Sequence, residues 1–542
     1  MKRLLALLMA MVMLLCMTAC GDDTVKENES KDKTTTTTVI STTASTADAT
    51  TTTTESAADS TTSTDDTEAV TTVTTVTTVV VSTTASTTIA TTTTTTPAKP
   101  SVAAKLNGVS LSEYTIVLSE DALDYADRAA TYIRDEIRTR TGAEVSIVTD
   151  ATAPTKHEIV VGETTRAISK TLNEKTEGLQ FSMMAKDGHV AMEGDYFIIA
   201  AAAYYFVTTY ITSKTVSATV PTTAFVQKPI QQKANNYIML IGDGMGINQT
   251  RLPEVYNHDR FDSDEVDANN FTDGEHLFYG YLFPNQGYAR TQSLNGVTDS
   301  AAGGTALATG YKTTNGRIGR DKDKNDLKSL TEMAGDLGMA TAVMSTEGRK
   351  GATPAAFCSH ADARDMYDEI VASQEETVAK YGTIIKCDYD VYTGLGISYY
   401  MERTITNTLA ELDKNEKGFF MMYEEAYIDK HSHNQDVEKA TWAVFRFNQA
   451  IALFMEYAFY NPDTAVIISA DHETGGLTDL AGVYKYSHGD HTAKLVPVFA
   501  YGIGTEVFHD QEIENVQIPK TIAKMMGQSL AADTDAQYPP LN

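Results

Sequence analysis

Apolar residues fall along this chain in four regimes. Residues 4–17 form an unbroken apolar run behind Lys2 and Arg3. That run is shorter than the roughly 20 residues a bilayer span needs, and it reads as a signal peptide over 1–19. From 20 to 102 the chain is almost all Thr, Ser, Ala, Val and Asp. Such a stretch has too few large apolar groups to bury a core and is expected to be a disordered stalk. Residues 103–232 then alternate short β runs (115–118, 145–148, 158–161) with helical periods. Over 121–140 Leu123, Ala126, Ala130, Ile133 and Ile137 share one face, and Gly142 follows. A hairpin over 181–192 turns at Asp187-Gly188, and 196–210 reads as a helix, so this part is a small α/β sandwich.

The fourth regime, 233–530, opens on the apolar run 237–241, as expected of a strand buried on both faces of a parallel sheet. Predicted strands at 339–344, 418–423, 464–469 and 495–500 alternate with helices at 327–337 and 437–457. Alternation of this kind predicts a doubly wound α/β fold, with a mostly parallel sheet and helices on both faces. Residues 531–542 are left as a tail.

Charge narrows the partners. The formal net charge of −29 argues against nucleic acid. It also opposes anionic substrates at long range, so a phosphate site in this chain must be locally cationic. Candidate chemistry gathers at strand ends, where ligands of such sheets bind. Asp243, Glu424 and Asp471 all fall at the carboxyl ends of predicted strands. Asp429 and His433 are four apart and share one face of a helical turn. Ser300 stands at the head of a run of small residues, Ala301-Ala302-Gly303-Gly304, which lets a helix start hard against a ligand. Two readings of Ser300 stay open at this point: an ordinary helix N-cap, or a nucleophile facing a phosphate held at the helix N-terminus.

Three resemblances add to this. Met17-Thr18-Ala19-Cys20-Gly21 resembles the lipobox of bacterial lipoproteins. It implies a lipidated Cys20 that anchors the chain to the membrane outside the cytoplasm; the alternative is plain secretion. Of the four cysteines only Cys358 and Cys387 would then remain in the folded part, and they are able to pair outside the cell. Residues 103–232 look like the accessory domain that precedes the catalytic barrel of α-glucuronidases and some hexosaminidases. That likeness rests on element order and on Val161-Gly162-Glu163-Thr164. No barrel follows, so no activity is carried over, and His157 and His189 are read as surface residues.

From about 236 to 502 the chain resembles the alkaline phosphatase family. The motifs are Gly242-Asp243-Gly244-Met245-Gly246, the 297–305 segment, Ala352-Thr353-Pro354-Ala355, Glu424 with Ile428-Asp429-Lys430, Ala470-Asp471-His472 and His491-Thr492. The resemblance implies a phosphomonoester hydrolase with two zinc ions and one magnesium. Ser300 would become phosphoserine, Arg364 would clamp the phosphate, Asp299 would orient that arginine, and Lys430 would reach phosphate through water. Asp429, His433 and His491 would hold one zinc; Asp243, Asp471 and His472 the second; Asp243, Thr353 and Glu424 the magnesium. Two displacements at phosphorus would retain its configuration. Small phosphate monoesters are the implied partners.

The chain departs from the family at Gly351, where family members carry Asp or His, and this puts the third metal in question. The insert that shapes the dimer in larger members is absent between 364 and 424, so the resemblance leaves a homodimer undecided. His431 and His488 stand beside ligand positions and are read as solvent-facing or supporting groups. A phosphodiesterase on the same scaffold is the enzymatic alternative, and a non-catalytic cell-surface binding lipoprotein is the alternative of another class. Sulfatase chemistry is disfavoured because 300–304 lacks the Cys/Ser-x-Pro-x-Arg context.

Overall fold

A computed structural model describes residues 104–172, 176–212, 217–255, 277–387, 397–480, 482–530 and 537–542. The signal peptide, Cys20 and the whole of the expected stalk lie outside these residues. Residues from Ala98 onward form one compact unit. Among the described residues no helix is long and apolar enough to cross a membrane.

The first sheet has six strands: β1 (Thr115–Leu118), β2 (Ser146–Thr149), β3 (Glu158–Val161), β4 (Phe181–Lys186), β5 (His189–Glu193) and β6 (Phe225–Gln227), in the order β2-β1-β3-β5-β4-β6. Helices α1 (Asp124–Thr141) and α2 (Ile199–Tyr210) pack on it. Asp187 and Gly188 both take positive φ, 51° and 85°, as a two-residue hairpin turn requires. His157, expected at the surface, is 8% exposed. The hairpin turn folds back over it, and Gly188 O lies 3.1 Å from its Nδ1. That contact joins residues 31 apart in sequence, which local polarity does not reveal. His189 is only partly covered, 3.7 Å from Glu158.

The second sheet has eight strands. Its elements are β7 (Asn236–Gly242), β8 (Asn285–Arg290), α3 (Ser300–Thr309), α4 (Leu330–Asp336), β9 (Ala340–Ser345), α5 (Ala352–Cys358), α6 (Tyr367–Tyr381), β10 (Ile384–Lys386), α7 (Ile397–Leu412), β11 (Phe419–Glu425), α8 (Tyr427–His433), α9 (Val437–Tyr460), β12 (Thr464–Ser469), β13 (Val496–Tyr501), β14 (Glu512–Glu514) and α10 (Gln517–Met525). The strand order is β10-β9-β11-β7-β12-β13-β8-β14. Only the two pairings made by β13 are antiparallel. β7 is buried along its whole length and sits between β11 and β12, which explains its unbroken apolar sequence. Helix α4 starts later than its periodicity suggests, because Ser329 and Glu332 form a capping box there.

The two sheets are joined through one continuous apolar core. Phe197 stacks on Phe459 at 6.0 Å, and Arg128 reaches Glu456 at 2.8 Å. Cys358 and Cys387 stand as separate thiols.

Candidate active site

Strand register brings the acidic ends together. Ile241 of β7 pairs with Glu424 on β11 and with Ser469 on β12. Asp243 and Asp471 therefore emerge level with each other, and Glu424 emerges two residues lower on the third adjacent strand. The Asp243 N–H donates to Glu425 O at 3.1 Å and locks the turn after β7.

Two three-residue clusters result. In the first, His472 Nε2 lies 3.5 Å from Asp243 Oδ1 and 3.2 Å from Asp471 Oδ2. All three residues are buried. In the second, His433 Nε2 lies 3.2 Å from Asp429 Oδ2, one turn away on α8, and His491 Nε2 lies 3.1 Å from His433 Nε2. Within each cluster the facing atoms lie within 4.8 Å of one another. His491 arrives by a short antiparallel pairing of His491–Thr492 with Glu473–Thr474. The clusters abut, since the His472 and His491 rings stack at 3.6 Å.

The second nitrogen of every histidine is already engaged. His433 Nδ1 lies 2.5 Å from Gly489 O, and His491 Nδ1 lies 2.8 Å from Thr298 O. His472 Nδ1 lies 3.1 Å from Thr474 Oγ1, whose hydroxyl donates to Asp429 at 2.5 Å. Each Nε2 is thus aimed at the carboxylates, the arrangement of metal-binding imidazoles.

The oxygens point the same way. Asp243 Oδ1, Asp471 Oδ2, Glu424 Oε1 and Thr353 Oγ1 are buried and have no hydrogen-bond partner. Burying ionised oxygens unpaired is costly, and cations at these positions relieve that cost. The two clusters mix imidazole with carboxylate, while Asp243, Glu424 and Thr353 offer oxygen alone. Both donor sets fit metal ions.

Acidities follow from the crowding. Burial, with the charges of Asp471 and Asp429 added, pushes the Asp243 carboxyl well up. Burial and then Asp429 raise Asp471 to about 7, and burial and then Glu347 raise Glu424. A hydrogen bond to Asp429 raises His433 to about 9. Burial opposes the charge on Asp429, yet His433 and His472 together hold it below the usual carboxylate range.

Ser300 is the first residue of α3 and is 5% exposed, with Oγ 3.2 Å from His472 Nε2. Asp299 caps this helix by accepting from the Ala302 N–H at 3.0 Å. Its carboxylate also accepts from the Gly316 N–H and from Arg364 Nη1, the latter at 3.2 Å. Small residues are required here. A Cβ at Gly303 would meet Asp471 O at 2.9 Å, and one at Gly304 would meet Thr353 at 3.1 Å. Lys430 Nζ pairs with Glu347 Oε2 at 2.5 Å.

Every residue that the resemblance assigned to metal or phosphate thus lies at or beside this strand end. His431 does not join the clusters. It is buried against Tyr427, and burial and Arg446 lower it to about 4. His488 Nδ1 accepts from the Asp490 N–H. Three supporting features were missed in the sequence: Thr474, the carbonyls of Thr298 and Gly489, and Glu347. Only Glu347 left a signal, as an acid four residues before the unexpected Gly351.

The model of the alkaline phosphatase family matches residues 234–408 and 401–486. Alkaline phosphatase 4 of Bacillus subtilis is 30% identical over 332 residues, which is 51% of this chain and 70% of that protein. The chain belongs to the alkaline phosphatase family. Alkaline phosphatase 3 of the same organism is 28% identical over 363 residues, 57% of this chain and 75% of that protein. The solved alkaline phosphatase of the Antarctic bacterium TAB5 is 26% identical, with a TM-score of 0.46 to 0.48, and is covered over 99% of its length by 55% of this chain. A variant of that enzyme was solved with Mg bound. Like its phosphatase relatives, this family member is a phosphoric ester hydrolase. His491 lies beyond the span matched by the family model, and the strand pairing of Thr474 with His491 is what carries it into the site.

Proposed function

We propose that the chain is a phosphomonoesterase that works through a phosphoserine at Ser300. The observation that carries this is the placement of Ser300 Oγ beside His472, with the two His/Asp clusters adjoining and Arg364 held at the rim by Asp299. Asp429, His433 and His491 would hold one zinc; Asp243, Asp471 and His472 a second; Asp243, Thr353 and Glu424 a magnesium. Bound there, these ions would supply positive charge to the attacking and leaving oxygens and would lower the pKa of hydroxyl and water. Arg364 offers two parallel N–H donors to the phosphate oxygens and orients phosphorus over Ser300. Ser300 Oγ forms a bond to phosphorus as the alcohol oxygen departs; water then cleaves that bond and restores the serine. Each displacement inverts phosphorus, so the product retains configuration.

Small phosphate monoesters are the substrates in this reading, outside the cytoplasm and on a Cys20 lipid anchor. A diesterase on the same scaffold is the second reading, favoured only by Gly351. Metal analysis of the purified protein, run beside hydrolysis of a chromogenic monoester and a diester, decides between them. Two zincs, one magnesium and strong monoester turnover support the proposal. Two metals with diester turnover alone would overturn it.

A further inference from the structure

Gly351 has no side chain, but the space one would fill is taken. An ideal Cβ built on Gly351 would lie 1.8 Å from Glu347 Oε1 and 2.2 Å from its Cδ. The backbone there is ordinary, with φ −56° and ψ 147°, so a side chain at 351 meets no backbone barrier and would instead have to displace the Glu347 carboxylate. The turn that brings Glu347 in is closed by the Gly351 N–H donating to Gly348 O at 2.7 Å. Ser345 ties it to the site, because its hydroxyl accepts from the Glu347 N–H at 3.0 Å and donates to Glu424. The other Glu347 oxygen accepts from Lys430 at 2.5 Å. Glu347 also lies within electrostatic reach of Asp243, Glu424 and Arg364.

We propose that Glu347 supplies, from four residues upstream, the carboxylate that the third metal site lacks at position 351. It acts as a positioning and affinity-setting residue, and this rests on the three-metal reading above. Magnesium retains several of its waters when bound, and those waters need acceptors. Asp243, Glu424 and Thr353 offer direct ligands, and the carboxylate of Glu347 provides the acceptor beside them. By engaging Lys430, the same carboxylate fixes the one lysine expected to face the phosphate. Glycine at 351 and glutamate at 347 are therefore two halves of one exchange, since a side chain at 351 would expel the carboxylate of 347.

The test is a magnesium titration of the full, zinc-loaded protein, followed by calorimetry and by the magnesium-dependent rise in Tm. Glu347→Gln should weaken magnesium binding by about 10- to 100-fold with zinc content unchanged. Gly351→Ala keeps every charge but pushes the carboxylate aside, and should produce the same loss. Glu347→Ala combined with Gly351→Asp should recover at least tenfold of the affinity. Equal magnesium affinity in the wild type and in both single variants would overturn the proposal while leaving the third site intact. A wild type that binds no magnesium would remove the third-site reading, and the proposal with it. A folded double variant without recovery would refute the exchange.

Discussion

At the ends of β2, β3 and β5 the small sheet gathers Asp150, Glu163 and Glu193 around an open cavity of about 780 Å³. At the ends of β7, β11 and β12 the large sheet gathers Asp243, Glu424 and Asp471. The topological address is the same, and the chemistry differs. In the small sheet the carboxylates are served by ordinary donors. Asp150 accepts from the Glu120 and Thr165 N–H groups at 3.0 and 2.7 Å, and Glu193 accepts from Ser169 at 2.7 Å. In the large sheet the acids face one another and three imidazoles, and four buried oxygens have no donor. Buried acids without partners, and not acidity alone, are what fit a strand end to hold a metal.

Breaking the large-sheet site should have the largest effect. Ser300→Ala is expected to lower phosphate release by at least about 10⁴-fold while zinc content stays unchanged, checked by turnover and metal analysis together. Loss of both at once would reassign Ser300 to the metal framework.

Metal removal should come next and should depend on pH. Asp471 is raised to about 7 in the metal-free fold, well above an unfolded aspartate. Between those values the folded state holds the extra proton, so stability falls as pH rises through the window. Chelated protein should therefore melt lower at pH 8 than at pH 5. Metal-loaded protein, whose acids are neutralised by cations, should show only the smaller fall that Glu193 imposes. Parallel melting curves across pH would contradict the assignment of these acids to metals.

Arg364→Lys should cost about 10- to 100-fold in kcat/KM, because lysine lacks the paired donors and cannot keep the Asp299 contact as well. Its Tm should barely move, since the side chain is 44% exposed.

The smallest effect belongs to the small sheet. Burial raises Glu193 to about 7, so its ionisation opposes folding increasingly as pH climbs from the ordinary glutamate value to that point. Glu193→Gln should raise stability at pH 8 by about 1 kcal/mol, allowing for its partial exposure, and much less at pH 5. Hydrolysis should be unaffected. A change in turnover would mean that the two strand ends communicate.

Much of this was legible along the chain because the signals are local. Continuous burial wrote β7 as an unbroken apolar run, and the Asp187-Gly188 turn needed only its own two residues. Alternating strand and helix periods were enough for the doubly wound fold class, though not for the strand order. The candidate residues were visible as side-chain types at strand ends and as a run of small residues after Ser300. Errors arose where a distant segment decides the environment. His157 looked like a surface histidine because nothing near it in sequence announces the hairpin that covers it. Thr474 drew no expectation from the sequence, although its hydroxyl connects the two clusters.

By itself, then, the sequence determined the central strands and the helices beside them, though not β8, β10, β14, α6 or α7, and which groups are available to bind metal and phosphate, since both depend on residue type and short-range periodicity. Tertiary structure alone decided how those groups are oriented. Parallel register levels Asp243 with Asp471, backbone carbonyls 56 and 193 residues away turn the rings of His433 and His491, and the bare backbone of Gly351 admits the carboxylate of Glu347. Orientation and space are set by atoms packed from elsewhere in the chain, and no window of sequence contains them.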